Sequence, residues 1–283
     1  MPRFSLILAT VGRTVELARL FESLSVQTCR DFEVIVVDQN DDRRLAPVLD
    51  RARSLGLDIC AQQLQPPNLA AARNAGIAAA RGDWICFPDD DCWYESEALA
   101  NVLLNNERFP HLQGMVACWV EQTIAGGGVT RPLANLQLEA WLNFKGGDAS
   151  SICLFFKRSL MERLGGFDVR LGVGQWYGAG EETDYVLRAL TAGAELGYCP
   201  SARVHHAFGA PSNADWRVAC CQARRRARGT GALYSKHRLN IYVVFRGCVA
   251  PIFLPLLRGQ GLRALAKGIA TVLGRIEGLT RWG

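Results

Sequence analysis

The sequence has no CxxC pair and no zinc-type spacing, although it holds ten cysteines. That excludes a zinc module. Cys86, Cys118 and Cys153 stand inside apolar runs, where Cys acts as a small hydrophobe. Scattered thiols of this kind point to a reducing cytosol. No charged and apolar leader is present: Met1-Pro2-Arg3-Phe4 enters an apolar run directly, so a cytoplasmic protein is expected. No apolar run reaches the ~20 residues of a spanning helix. The nearest, Ile241–Leu257, contains Arg246, Pro251 and Pro255. Acids are nearly missing from the last part of the chain. From Arg217 onward the only one is Glu277, against Arg224, Arg225, Arg226, Arg228, Lys236, Arg258, Arg263, Lys267 and others. Such a tail seeks an anionic surface or substrate.

What is present is enough for a full core. The chain has 283 residues, 49% apolar and 21% charged, which excludes global disorder and allows one large α/β domain with an appendage. Short apolar runs alternate with helical spacing through the first third. Strands are predicted over 4–9, 32–37, 57–62 and 84–87, and helices over 15–26, 44–54 and 68–80. Thr14 is a candidate N-cap for the first helix. This alternation predicts a mostly parallel sheet flanked by helices, whose ligands bind beyond the carboxyl ends of the strands. Further on, a helix is expected over 95–106, strands over 114–120, 151–156 and 196–199, and a helix from the acids at 181–184 to Gly193. Gly126-Gly127-Gly128 and Gly146-Gly147 bracket a segment that suits a lid, an acceptor loop or a plain connection.

The chemistry-bearing residues fall at strand ends. Thr10 closes the first strand, Asp38 and Asn40 the second, and Asp89-Asp90-Asp91 the fourth. Three adjacent carboxylates repel one another. Solvent relieves this on a surface loop, and a hard divalent cation relieves it in a cleft. Glu181, Glu182 and Asp184 open a helix, where the dipole alone favours acids.

In this order the motifs resemble those of the family-2 glycosyltransferases with the GT-A fold, of the bacterial rhamnosyl- or glucosyltransferase kind. Thr10-Val11-Gly12-Arg13 is similar to the first nucleotide loop, and Asp38-Gln39-Asn40-Asp41 to the second. Ala72-Arg73-Asn74-Ala75-Gly76 resembles the ARN-G helix start, and Asp89-Asp90-Asp91 the DxD motif. Gly165-Gly166-Phe167-Asp168 resembles the GGFD turn, and Gly180-Glu181-Glu182-Thr183-Asp184 the GED-type motif. The likeness covers about residues 4–210, which implies a transferase domain over 1–210 and a basic, apolar helical extension over 211–283.

The resemblance implies roles. Asp91 is the principal ligand of Mg²⁺ or Mn²⁺, with Asp89 and with His206 in preference to His205. Asp89 and Asp90 also hold the ribose and the ion's water. Thr10 and Asp38 contact the base, within loops that include Gly12, Arg13, Asn40 and Asp41, and Arg73 contacts the nucleotide. Glu182 is the catalytic base, with Glu181 and Asp184 as alternatives. Trp176 and Tyr177 either stack on an acceptor sugar or belong to the core. The implied donor is a UDP- or dTDP-sugar, and the acceptor a glycan or lipid-linked hydroxyl in cell-surface polysaccharide synthesis. An inverting displacement is expected, without nucleic acid. Gln222 and Arg225 match two positions of the QxxRW motif of processive members, but Arg226 stands where Trp would be. That departure, with the lack of several spans, argues against a synthase channel. The apolar stretch 241–257 and the amphipathic stretch 262–279 together suit a peripheral anchor at the inner face of the plasma membrane. Packing on the domain or on a partner chain is the alternative. The rival functions are a nucleotidyltransferase and a non-catalytic nucleotide-sugar or membrane adaptor. The first strand lacks the long Gly-rich loop of the former.

Overall fold

The computed structural model describes residues 1–121, 135–145, 150–206 and 215–283. The glycine runs 126–128 and 146–147 lie outside the described residues. Among the described residues eight strands form one sheet: β1 (Phe4–Thr10), β2 (Phe32–Asp38), β3 (Ile59–Gln63), β4 (Trp84–Cys86), β5 (Cys92–Tyr94), β6 (Gly114–Glu121), β7 (Leu154–Lys157) and β8 (Leu196–His206). Ten helices accompany them: α1 (Val15–Ser25), α2 (Ala46–Ser54), α3 (Leu69–Ala79), α4 (Ala98–Arg108), α5 (Leu138–Leu142), α6 (Arg158–Leu164), α7 (Glu181–Thr191), α8 (Trp216–Lys236), α9 (Ile241–Leu257) and α10 (Gly261–Arg281).

The strand order is β3-β2-β1-β4-β7-β6-β8-β5. β1 to β4 pair in parallel, as do β6 and β8, and only β7 and β5 run the other way. The sheet is thus mostly parallel and flanked by helices, as the alternating pattern predicts. β1 and β2 are buried along nearly their whole length, which is why they read as continuous apolar runs. α3 lies so close to β1 that a Cβ at Gly76 would run into Ile7. The small residues of this Ala-rich helix permit that approach. At the far end of the strands Ser5 and Arg81 hold the buried Glu33 carboxylate, fixing the turn into β4.

Three local outcomes differ from expectation. Thr14 occupies the N-cap of α1 but makes no side-chain cap bond. β5 is an added strand of three residues, too short to carry a pattern. β8 is longer than the predicted 196–199, because the chain bulges at Pro200 and resumes pairing. Ala117 faces Cys199, while Cys118 faces Arg203. A bulge accommodates a residue with no N–H to donate.

α8 and α10 lie side by side in the same direction, in backbone contact. A Cβ at Gly274 would meet the carbonyl of Arg224, and one at Gly278 that of Arg228. α9 links them and runs back along α10, with Gly268 against Pro251. Among the described residues no helix is long and apolar enough to cross a membrane.

Candidate active site

The strand order reverses beside β1, where β2 and its successor lie on one side and β4 on the other. Loops leaving neighbouring parallel strands there diverge and open a crevice. A cavity of about 510 Å³ lies at that place, lined among others by Thr10, Arg13, Gln39, Asp89, Asp90, Asp91, His206 and Arg226. Its size suits a nucleotide-sized ligand.

Side chains supply the compensation that the acid triplet needs. Asp90 accepts from the Thr10 hydroxyl at 2.7 Å and from the Arg13 guanidinium. Arg13 also lies 2.9 Å from Asp91, whose other oxygen is 3.0 Å from His206 Nε2. Asp89 accepts from Arg73 at 3.1 Å. The electrostatics separate the three acids. Burial pushes Asp89 up, against the pull of Arg73. Burial also opposes ionisation of Asp91, but His206 and Arg13 outweigh it and hold Asp91 below the usual carboxylate range. The bond to Asp91 in turn raises His206.

Asp89, Asp91 and His206 each offer a ligand atom, all within 4.8 Å of one another. Two carboxylates and one imidazole suit Mn²⁺ or Mg²⁺, and three ligands leave positions for phosphate oxygens. His205 does not join them. Successive side chains on a strand point to opposite faces, and His205 stacks on Trp93 and bonds Glu95 at 3.0 Å.

The second loop is held by its own residues. Asp38 accepts from the Asn40 backbone and side chain at 2.8 and 2.7 Å. Asn40 accepts from Gly12 N–H at 2.7 Å, which ties the two loops together. Gly12 takes φ +81°, a conformation that favours glycine. Asp41 is exposed beside them.

Arg73 joins the crevice to the start of α7. It is only 2% exposed and reaches Glu181 with one nitrogen and Asp89 with the other, both at 3.1 Å. Its neighbour Asn74 clasps the backbone of Phe167 from both sides, at 2.7 and 2.9 Å. That explains the polar pair in an Ala-rich helix. Glu181 is therefore committed to Arg73. Asp184 is fully buried and tied to Lys236, His237 and Arg188 within 2.9 Å. Glu182 differs: its Oε2 is buried without a hydrogen-bond partner. Burial first, and the Glu181 charge second, push its carboxyl above the usual range.

Tyr177 packs against Trp282, and its hydroxyl donates to the Arg281 carbonyl at 2.9 Å, a structural use of that ring. Trp176 is half-buried between Arg228 and Arg281. Gln39, Asn68 and Arg226 line the cavity although their residue types alone did not single them out. Asn68 carries one local signal, since it caps α3 by accepting from Ala71 N–H.

A family model described as "Glycosyl transferase family 2" matches residues 5–165. The chain is 32% identical over 108 residues to an uncharacterized glycosyltransferase of Haemophilus influenzae, covering 38% of this chain and 36% of the relative. It is 33% identical over 105 residues to the amylovoran biosynthesis glycosyltransferase AmsB of Erwinia amylovora, covering 36% and 35%. It is 27% identical over 173 residues to the GalNAc(5)-diNAcBac-PP-undecaprenol beta-1,3-glucosyltransferase of Campylobacter jejuni, covering 57% and 54%. The matches thus span between 35% and 54% of the lengths of these relatives. Among solved structures, S. aureus TarS 1-349 superposes over 96% of this chain and 90% of its own, with TM-score 0.62 and 15% identity. The mannosyltransferase PcManGT from Pyrobaculum calidifontis, solved with GDP-Man and Mn²⁺, superposes over 100% and 76%, with TM-score 0.62 and 19% identity. These two likenesses concern the fold.

Proposed function

Since the chain belongs to glycosyl transferase family 2, we propose that it moves a sugar, with inversion, from a nucleoside-diphosphate sugar to a hydroxyl of a glycan or lipid-linked acceptor. The observation that carries this reading is the junction made by Arg73. It sets the acids after β4 beside the start of α7, where Glu182 keeps one carboxylate oxygen without a partner.

In this reading the loops after β1 and β2 seat the base and ribose, through Thr10, Gly12, Arg13, Asp38, Asn40 and Asp41. Glu182 accepts the acceptor proton as its oxygen attacks the anomeric carbon. The bond from that carbon to the diphosphate breaks in the same displacement, so the configuration inverts without a covalent intermediate. Asp89, Asp91 and His206 would hold Mg²⁺ or Mn²⁺, which supplies neutralising charge for the diphosphate. Trp176 stands as the aromatic candidate for the acceptor, since Tyr177 is used in packing.

A lipid-linked acceptor is supported by the Campylobacter relative, whose name specifies a PP-undecaprenol substrate. It is also supported by the exposed apolar residues of α9 and α10, which suit peripheral contact with an anionic membrane from the cytoplasmic side. Involvement in surface-polysaccharide synthesis is supported by the Erwinia relative.

Calorimetric titration of UDP, GDP and dTDP, each with and without Mn²⁺, tests the reading. One nucleotide should bind, and tightly only with the metal. Substitution Asp91→Ala should remove the metal dependence along with the tight binding. If a folded protein binds none of the three, the fold serves a non-catalytic adaptor instead.

A further inference from the structure

The three consecutive arginines of α8 point three ways. Arg224 bonds Glu277 inside the helical bundle. Arg225 reaches the carbonyls of Gly174 and Gln175, at 3.3 Å each, on the loop that leads to α7. Arg226 lines the crevice, with Asp89, Asp90, Asp91 and His206. It is exposed and, among the described residues, makes no ion pair.

Its isolation is informative because the other arginine lining the cavity, Arg13, is already bound by Asp90 and Asp91. Arg73, just behind, is shared between Asp89 and Glu181. Neither has charge to spare. His206 is engaged with Asp91. An exposed guanidinium facing a crevice of this polarity is matched by a ligand with its own negative charge. We infer that Arg226 is an anion-binding residue that α8 contributes to the donor site, where it recognises the diphosphate rather than the nucleoside. The reading rests on the transferase proposal. It adds that the C-terminal helices, which lie outside the family match at 5–165, complete the donor site.

The position in the chain supports a further point. Arg225 holds the 172–180 loop, and a Cβ at Gly229 would run into the carbonyl of Ala179 on that same loop. The backbone that carries Arg226 is therefore anchored within one helical turn on both sides. A guanidinium presented from such a backbone is fixed in place rather than swinging from a free terminus.

The test is calorimetry in Mn²⁺ on the full chain, using whichever of UDP, GDP and dTDP binds best and its parent nucleoside. Arg226→Ala should weaken the diphosphate by about tenfold or more, as loss of a charge-assisted hydrogen bond does, and the nucleoside by less than about twofold. Arg226→Lys should recover part of the loss, since it keeps the charge but not the planar fork. Equal losses for diphosphate and nucleoside, or no loss for the diphosphate, overturn the inference. If Arg226→Ala lowers the melting temperature, Arg226→Lys decides by the same ratio of the two affinities. A wild-type chain that binds no nucleotide overturns the transferase reading itself. Wild-type binding with an unselective Arg226 effect overturns only this inference.

Discussion

Glu182 is the residue on which the proposed chemistry turns, and its environment makes it testable in two ways. It faces Glu181, with Arg73 beyond, in a buried setting that raises its pKa. A raised carboxyl holds its proton more tightly in the folded chain than in the unfolded one. Above the unfolded value of ~4.3 the ionised group therefore costs stability, and the cost grows with pH until the folded value is passed. Glu182→Gln should abolish transfer, leave nucleotide binding intact and raise the melting temperature at neutral pH by a few degrees. That gain should vanish in acid, where both states are protonated. For the wild type, kcat/KM should fall as pH drops through the raised value, well above the ordinary carboxylate range. Near-normal turnover by Glu182→Gln would remove it from the mechanism. The candidates then left, Glu181 and Asp184, are each held by basic partners. Sequence placed the three acids together on the first turn of a helix. The resemblance ranked Glu182 first, but the residues alone did not separate the three, because Arg73 on α3 and His237 after α8, which engage the other two, lie more than 50 residues away in either direction.

At the scale of elements, local pattern was legible where an element is built from its own residues. β1, β2, α1 and α3 have the expected places because continuous apolar runs and 3.6-residue spacing are set by burial along the element itself. β8 was cut short because Pro200 reads as a stop, and only the neighbouring strand shows that it is a bulge. The histidines consequently lie on a strand, and alternation sends His206 to the acids and His205 away. In α10 the apolar pattern marked a stripe suited to a membrane surface but did not show which face packs on α8. Ile269, Leu273 and Ile276 remain substantially exposed, while Gly268, Gly274 and Gly278 are buried. Glycine carries no hydropathy signal, yet it decides how near two helices can come. This predicts the effect of Gly278→Ala. Helix propensity alone favours Ala by about 1 kcal/mol. The new Cβ, however, would meet the Arg228 carbonyl and the backbone of Ala232, which cannot yield as a side chain does. Overpacking of that kind costs about 1–3 kcal/mol, so a net loss is expected in urea unfolding. A stabilised variant would mean that α8 and α10 do not touch in solution.

For the whole molecule, the question is what the three C-terminal helices face. Their inner side is occupied: Glu277 bonds Arg224 and Arg228, and Trp282 packs on Tyr177 beside the 172–180 loop. Cutting the chain after Asn240 would therefore disturb the site as well as any anchor, and cannot separate the two. The corner between α9 and α10 offers a cleaner test. Phe253, Leu256, Leu257 and Leu262 are exposed there, Leu262 by 84%, with Arg258 and Arg263 between and after them. Apolar residues interleaved with bases fit the headgroup region of an anionic bilayer. A second copy meeting the same corner would oppose like charges. Substituting Leu257→Ser and Leu262→Ser together in the full chain should weaken binding to vesicles of phosphatidylglycerol and phosphatidylcholine by about tenfold or more, since each buried leucine contributes up to about 1.5–3 kcal/mol. Nucleotide binding should be unchanged, because neither leucine lines the crevice. Substituting Arg258→Ser and Arg263→Ser should instead flatten the salt dependence of vesicle binding. Unaltered vesicle binding by the leucine pair, with a shift in sedimentation, would assign this corner to self-association and leave the membrane reading without its surface.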